Sequence, residues 1–229
     1  MKEQVIADIT KSPNRKSLFH FTRVRNLPAI AHYDELLSSF TIHPGHIGER
    51  RSEPLELRVG EYAVTINPHL RIVNGMLEPS ITLQQFRAAL DRHVFFWPTW
   101  QDCQKMLDTY SRREPKERFA ILEFDAFALL MAHFSAAKLS KYDSGSSPRY
   151  PQHCSYKKSP EMWLPLEDYK RVKKATVPVR ASEVKEVLIE DRVSGLSKHL
   201  KAIHVYADGT LRKYANFSQI TLLVQPTVQ

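Results

Sequence analysis

Apolar residues recur along the chain at two spacings, and the switches between them mark out short strands and short helices. Residues 18–22, LFHFT, alternate with period two, so Phe19 and Phe21 face one side of a strand and His20 the other. NLPAIAHY follows, where Asn26 caps a short helix and Pro28 occupies its first turn, a position that needs no N–H. Thr82 with Gln85 three residues on reads as a capping box, and Leu83, Phe86 and Leu90 then share one helical face. HVFFW, residues 93–97, is a buried strand. Thr99 caps the next helix, on which Cys103, Met106, Leu107 and Tyr110 form a core-facing stripe. RFAILEF, residues 118–124, predicts another strand, and Asp125 caps the apolar helix that follows.

The remaining segments are less regular. Residues 1–16 are polar and predict a flexible tether or a short first turn. Residues 38–80 carry several prolines between short apolar pieces, which predicts a long, partly ordered excursion with one strand near Tyr62–Ile66. Excursions of that length are uncommon unless they serve a site. Residues 138–165 read as a loop around SGSSPRYP, and residues 175–181 as an edge strand interrupted by Pro178. VKEVLIED, residues 184–191, is a strand. Asp208-Gly209 is the strongest turn signal and predicts a hairpin, and residues 219–224 predict a closing strand. Many short strands with a few helices, and no regular β-α-β alternation, predict an α+β fold as a single domain over residues 1–229.

Composition narrows the class. The chain has 229 residues, 42% hydrophobic and 25% charged, enough to bury a core without metals or disulfides. Its two cysteines, Cys103 and Cys154, lack CxxC spacing and fit a reducing, cytoplasmic setting. The opening residues carry no apolar signal segment, and no apolar run reaches membrane-spanning length, so no membrane partner is expected. The net charge of +8 raises nucleic acid or another anion as a partner.

Motif exclusion removes several chemistries: there is no GxGxxG after a strand, no GxxxxGK[ST], no HExxH and no GxSxG. His43 and His46 are three apart, with no convincing further ligand, so no metal is expected. Two constellations remain. One is HFTxxxNLxxI (His20, Phe21, Thr22, Asn26, Leu27, Ile30), a strand that ends in polar groups and turns into a helix; a hydrogen-bonded core histidine and a plain helix cap would give the same pattern. The other is Glu186, flanked by apolar residues in VKEVLIED. Such a carboxylate is costly to bury without a partner or a task, although strand alternation also allows it to face solvent with Glu190.

The segment LFHFTRVRNLPAI resembles the start of the DarT-like ADP-ribosyltransferase family, whose members transfer ADP-ribose from NAD to DNA, and of related uncharacterised bacterial proteins. The mid-chain VFFW strand and VKEVLIEDRVSGLSKHLKAIHV are similar to later stretches of that family. The resemblance covers mainly residues 18–37 and 184–205. It implies a fold of split, mostly antiparallel sheets with flanking helices. It implies that His20, Thr22 and Asn26 contact NAD, that Arg50 or Arg51 does so too, and that Glu186 is the catalytic carboxylate. NAD would be the substrate, with no metal, and aromatic side chains such as Phe95 or Phe96 could stack on nicotinamide. A mono-ADP-ribosyltransferase acting on nucleic acid is then the leading expectation, with an antitoxin or immunity protein as a candidate partner. Residues 43–80 depart from the DNA-modifying members. An NAD glycohydrolase, or a non-catalytic nucleotide- or nucleic-acid-binding protein on the same scaffold, is the alternative.

Overall fold

The computed structural model describes residues 2–219, and the closing strand expected at 219–224 lies almost wholly outside them. Six helices and twelve strands follow one another as α1 (Lys2–Ile9), β1 (Ser17–Arg23), α2 (Leu27–Tyr33), β2 (Glu35–Leu37), α3 (Ser39–Ile42), β3 (Leu55–Val59), β4 (Tyr62–Ile66), α4 (Leu83–Asp91), β5 (His93–Phe96), α5 (Trp100–Arg113), β6 (Phe119–Asp125), α6 (Ala126–Ala132), β7 (Ala137–Ser140), β8 (Trp163–Pro165), β9 (Glu186–Glu190), β10 (Arg192–Ser194), β11 (Leu200–Ala207) and β12 (Thr210–Tyr214). The strands form two four-stranded antiparallel sheets, ordered β1-β6-β11-β12 and β5-β9-β7-β8, and two ribbons, β2 with β10 and β3 with β4. This is the α+β architecture of split antiparallel sheets with flanking helices.

The two sheets meet edge to edge. Phe19 on β1 and Trp97, just past β5, exchange both backbone hydrogen bonds at 2.9 Å. On the other side of β5, Phe96 pairs with Val187 on β9. Continuing that register by one residue sets Glu186 beyond Trp97, two strand spacings, about 10 Å, from Phe19. Residues from opposite ends of the chain are thereby neighbours.

Local signals explain most elements. The Thr82–Gln85 capping box is formed at α4, and the side chains of Thr99 and Asp125 accept from backbone N–H groups to start α5 and α6. Asp208 and Gly209 both take positive φ, 51° and 75°, which is the backbone of the primed hairpin turn joining β11 to β12. The main core lies between the sheets and the helices. Phe96, Phe124, Leu122 and Val187 are fully buried there, each contributing about 1.5–3 kcal/mol by leaving water.

Four expectations change. The excursion over 38–80, expected to hold one strand, carries a hairpin in which β3 pairs with β4, because Gly60 allows the tight turn between them. The polar opening segment forms α1, whose Ile6 and Ile9 are buried in the core, so residues 2–9 are docked rather than a tether. Within 138–165, expected as loop, β7 and β8 pair at the far edge of the second sheet. Residues 175–181, expected as a strand, form no strand pairing among the described residues: Pro178 has no N–H to give, and buried Val177 contributes to the core from a turn. No helix among the described residues is long and apolar enough to cross a membrane.

Candidate active site

A cavity of about 260 Å³ opens where the two sheets meet. His20, Thr22 and Asn26 line it from the first sheet and its following helix, Arg51 from the excursion, and Glu186 from β9. Arg50 is not part of the lining; its guanidinium points away, donating to the carbonyls of His69 and Leu70. Of the residues singled out in the sequence, five therefore converge and one does not.

His20 is half-buried, and its Nδ1 lies 2.9 Å from the Phe95 carbonyl oxygen. A carbonyl only accepts, so Nδ1 carries the proton and Nε2 keeps its lone pair. Burial lowers the imidazole to about 4 against its ordinary 6.5, partly offset by the Phe95 bond, so the ring is neutral at pH 7. It presents an acceptor to a ligand.

Asn26 precedes α2 but does not cap it with its side chain. Its Oδ1 accepts from the Thr65 N–H at 2.8 Å, while Nδ2 donates to the Thr65 carbonyl at 3.0 Å and to Thr22 Oγ1 at 3.3 Å. The amide thus pairs with β4 as a strand residue would. It ties the β3–β4 hairpin over the cavity. Tyr33, whose hydroxyl donates to the Val59 carbonyl at 3.4 Å, holds the other end of the hairpin. Gly60 turns there at φ +56°, where a Cβ would collide with that hydroxyl.

Arg51 is clamped. Nε donates to the Asn67 carbonyl at 3.2 Å, and Nη2 donates to Asp91 Oδ1 at 2.7 Å and Ser39 Oγ at 3.3 Å. Its backbone N–H donates to His69 Nδ1 at 3.1 Å, which places the imidazole proton on Nε2, facing Asp91 Oδ1 at 3.0 Å. Gly48 N–H donates to the other Asp91 oxygen. Burial works against the Asp91 charge, but these donors prevail and hold the carboxyl below its ordinary range. Arg51 Nη1 makes no hydrogen bond among the described residues.

Glu186 is buried, 3% exposed, and Oε2 accepts from the Ser144 N–H at 3.0 Å. Burial, then the nearby Asp143 charge, pushes its pKa up to about 8, opposed by Ser144 and the Lys158 charge. Lys158 is fully buried. Its ammonium donates to the carbonyls of Asp143, Ser144 and Ser146 and so pins the loop that contacts Glu186. Trp163 Nε1 donates to Ser144 Oγ at 2.9 Å and braces the same loop. Phe96 is in the core, whereas Phe95 is half-buried and lines the cavity.

Asp91, His69, Asp143, Ser144 and Lys158 carry no signal in the sequence reading, because each acts only through contacts made by the folded chain. His43 and His46 stack on each other, and among the described residues no group of three or more His, Cys, Asp or Glu could hold a metal.

A second cavity, about 570 Å³, adjoins the first and shares Glu186, Asp143, Trp97, Met106 and Leu70 with it. Glu186 therefore stands at the junction of two spaces.

Among solved structures, a DarT from Thermus sp. 2.9 in complex with NAD+ matches with a TM-score of 0.42 and 13% identity, over 93% of this chain and 89% of that one. No curated protein matches the chain. Residues 16–200, most of the chain, match the family described as Family of unknown function (DUF7002), and the chain belongs to that family.

Proposed function

We propose that the protein binds NAD in the first cavity and breaks its nicotinamide–ribose bond, transferring ADP-ribose to an acceptor. The observation that carries this reading is the convergence of His20 and Glu186 on one cavity, the two residues that the sequence resemblance pairs. Arg51 supports it, because its clamped guanidinium leaves one nitrogen for an anionic group such as a pyrophosphate.

The chemistry asked of Glu186 is electrostatic. Positive charge develops on the ribose as nicotinamide leaves, and a carboxylate held in a partly dry site stabilises it far better than water would. The free carboxyl is protonated over much of the neutral range. NAD brings a cationic ring, which favours the ionised form. His20 Nε2 accepts a hydrogen bond from a ribose hydroxyl, and the half-buried Phe95 offers a face to the nicotinamide. The second cavity gives room for an acceptor larger than water, which favours transfer over hydrolysis, and the net charge of +8 favours nucleic acid as its class.

Calorimetry with NAD on wild type and on His20→Ala tests the reading. Saturable binding that weakens at least tenfold in the variant supports it. Equal affinity in both, or no binding to wild type at millimolar NAD, removes it.

A further inference from the structure

The second cavity is cationic in a way the NAD reading does not use. Lys105 and Arg113 lie eight residues apart on one face of α5, with Thr109 between them. Arg71 joins them from the segment after β4, Lys141 from the end of β7, and Lys185 from the start of β9. Two of the five are neutralised: Lys105 by Asp102 at 2.8 Å and Lys141 by Glu183 at 3.7 Å. Arg71, Arg113 and Lys185 make no ion pair or side-chain hydrogen bond among the described residues.

Three cations without a close ion pair, drawn from three separate elements around one concavity, focus a positive potential into it, although Lys185 also feels the Asp102 charge. The acidic lining opposes this weakly. Asp102 is already paired with Lys105, and the other two carboxyl groups, Glu186 and Asp143, also line the first cavity.

We propose that this cavity is an anion site that receives a terminal phosphate group of the acceptor beside Glu186. That the bound anion belongs to an acceptor, and that it is a terminal group, rests on the ADP-ribosyl-transfer reading; the anion site itself does not. The shape favours a terminal group. The two cavities meet at Glu186, Asp143 and Trp97, so NAD filling the first would close the second at that end. A through-running polyanion needs a groove open at both ends, whereas a phosphate monoester needs only a cationic pocket. Arginine suits it, since a planar guanidinium grips two phosphate oxygens at once.

The test uses three proteins: wild type, the triple variant Arg71→Gln/Arg113→Gln/Lys185→Gln, and a charge-matched control, Lys11→Gln/Lys173→Gln/Lys174→Gln, altered at exposed lysines outside both cavities. Each is titrated with inorganic phosphate, with a nucleoside 5′-monophosphate, and with a short oligonucleotide bearing or lacking a 5′-phosphate. Wild type should bind the phosphate-terminated probes saturably, more weakly as salt rises. The triple variant should lose at least tenfold in affinity while the control stays within twofold. A control that loses as much as the triple variant would reduce the effect to bulk charge and overturn the site. Equal binding of oligonucleotide with and without its 5′-phosphate would overturn the preference for a terminal group. Binding by the mononucleotide and the oligonucleotide but not by inorganic phosphate would trace recognition to the nucleoside and overturn it as well. NAD calorimetry on the same three proteins separates the two ideas: phosphate binding without NAD binding sinks the transferase reading and leaves the anion site standing.

Discussion

Arg51 donates to Asp91 across 2.7 Å, and the same Asp91 oxygen receives the His69 Nε2–H at 3.0 Å. Asp91 ends α4, whereas Arg51 and His69 belong to the irregular excursion around the β3–β4 hairpin. The carboxylate thus orients a cation that local structure alone leaves loose.

Replacing Asp91 tests that role. Asp91→Asn keeps the shape but leaves the Arg51 charge uncompensated. Breaking a buried pair from one side costs about 3–5 kcal/mol, so denaturant unfolding should show a loss of that order. NAD affinity should fall at least tenfold under conditions where the variant is still folded. An unchanged affinity would separate Arg51 from ligand binding.

Asn26 makes a sharper case. Asn26→Asp removes both Nδ2 donors and sets a carboxylate against the Thr65 carbonyl. The hairpin should loosen, with a cost of about 1–3 kcal/mol and faster hydrogen exchange at Thr65 and its neighbours on β4. If exchange there is the same as in wild type, the amide is not what fastens the hairpin.

His20 and Glu186 make opposite statements about pH. The folded His20 pKa is depressed to about 4, so the unfolded chain takes up a proton first as pH falls below 6.5. Stability is therefore lost between pH 6.5 and 4. Nitrogen-15 NMR should show the His20 ring neutral and protonated on Nδ1 at pH 5.5; a ring that titrates near 6.5, or carries its proton on Nε2, contradicts the geometry.

The Glu186 pKa is raised from 4.5 to about 8, so its stability contribution is complete below pH 4.5 and is lost as pH rises through 8. Glu186→Gln removes this penalty. The variant should match wild type at pH 4 and exceed it at pH 8 by on the order of a few kcal/mol. Thermal melts across that range check the sign, and a variant less stable than wild type at pH 8 would reverse it.

The sequence discloses the strands that carry His20 and Glu186, because each is an apolar run of clear length and alternation. It does not disclose that they meet: that follows from the Phe19–Trp97 bridge and the β5–β9 register, both long-range. Asn26 reads as a plain helix cap, since nothing near it announces Thr65 as its partner. β7 and β8 escape notice at four and three residues, too short for a period to show. Arg50 and Arg51 are equivalent on paper, and only the placement of Asp91 and Asn67 turns one toward the cavity. Lys158 lies in a segment that reads as loop, and its burial depends on carbonyls turned toward it by the folded 143–146 segment.

The proposed catalytic role of Glu186 is decided by nicotinamide release from NAD, measured for purified wild type and Glu186→Gln with and without nucleic-acid or protein acceptors. The variant should fold and bind NAD while its rate drops roughly 10²–10⁴-fold, the range for losing a positioned electrostatic or acid–base group. Wild-type kcat/KM should rise with pH toward about 8, as the free carboxyl ionises. Glu190→Gln, which only disturbs the half-exposed pairs with Lys138 and Arg92, should change the rate little. Equal rates in wild type and Glu186→Gln would remove the catalytic role of Glu186, and no nicotinamide from wild type with any acceptor would remove the activity itself.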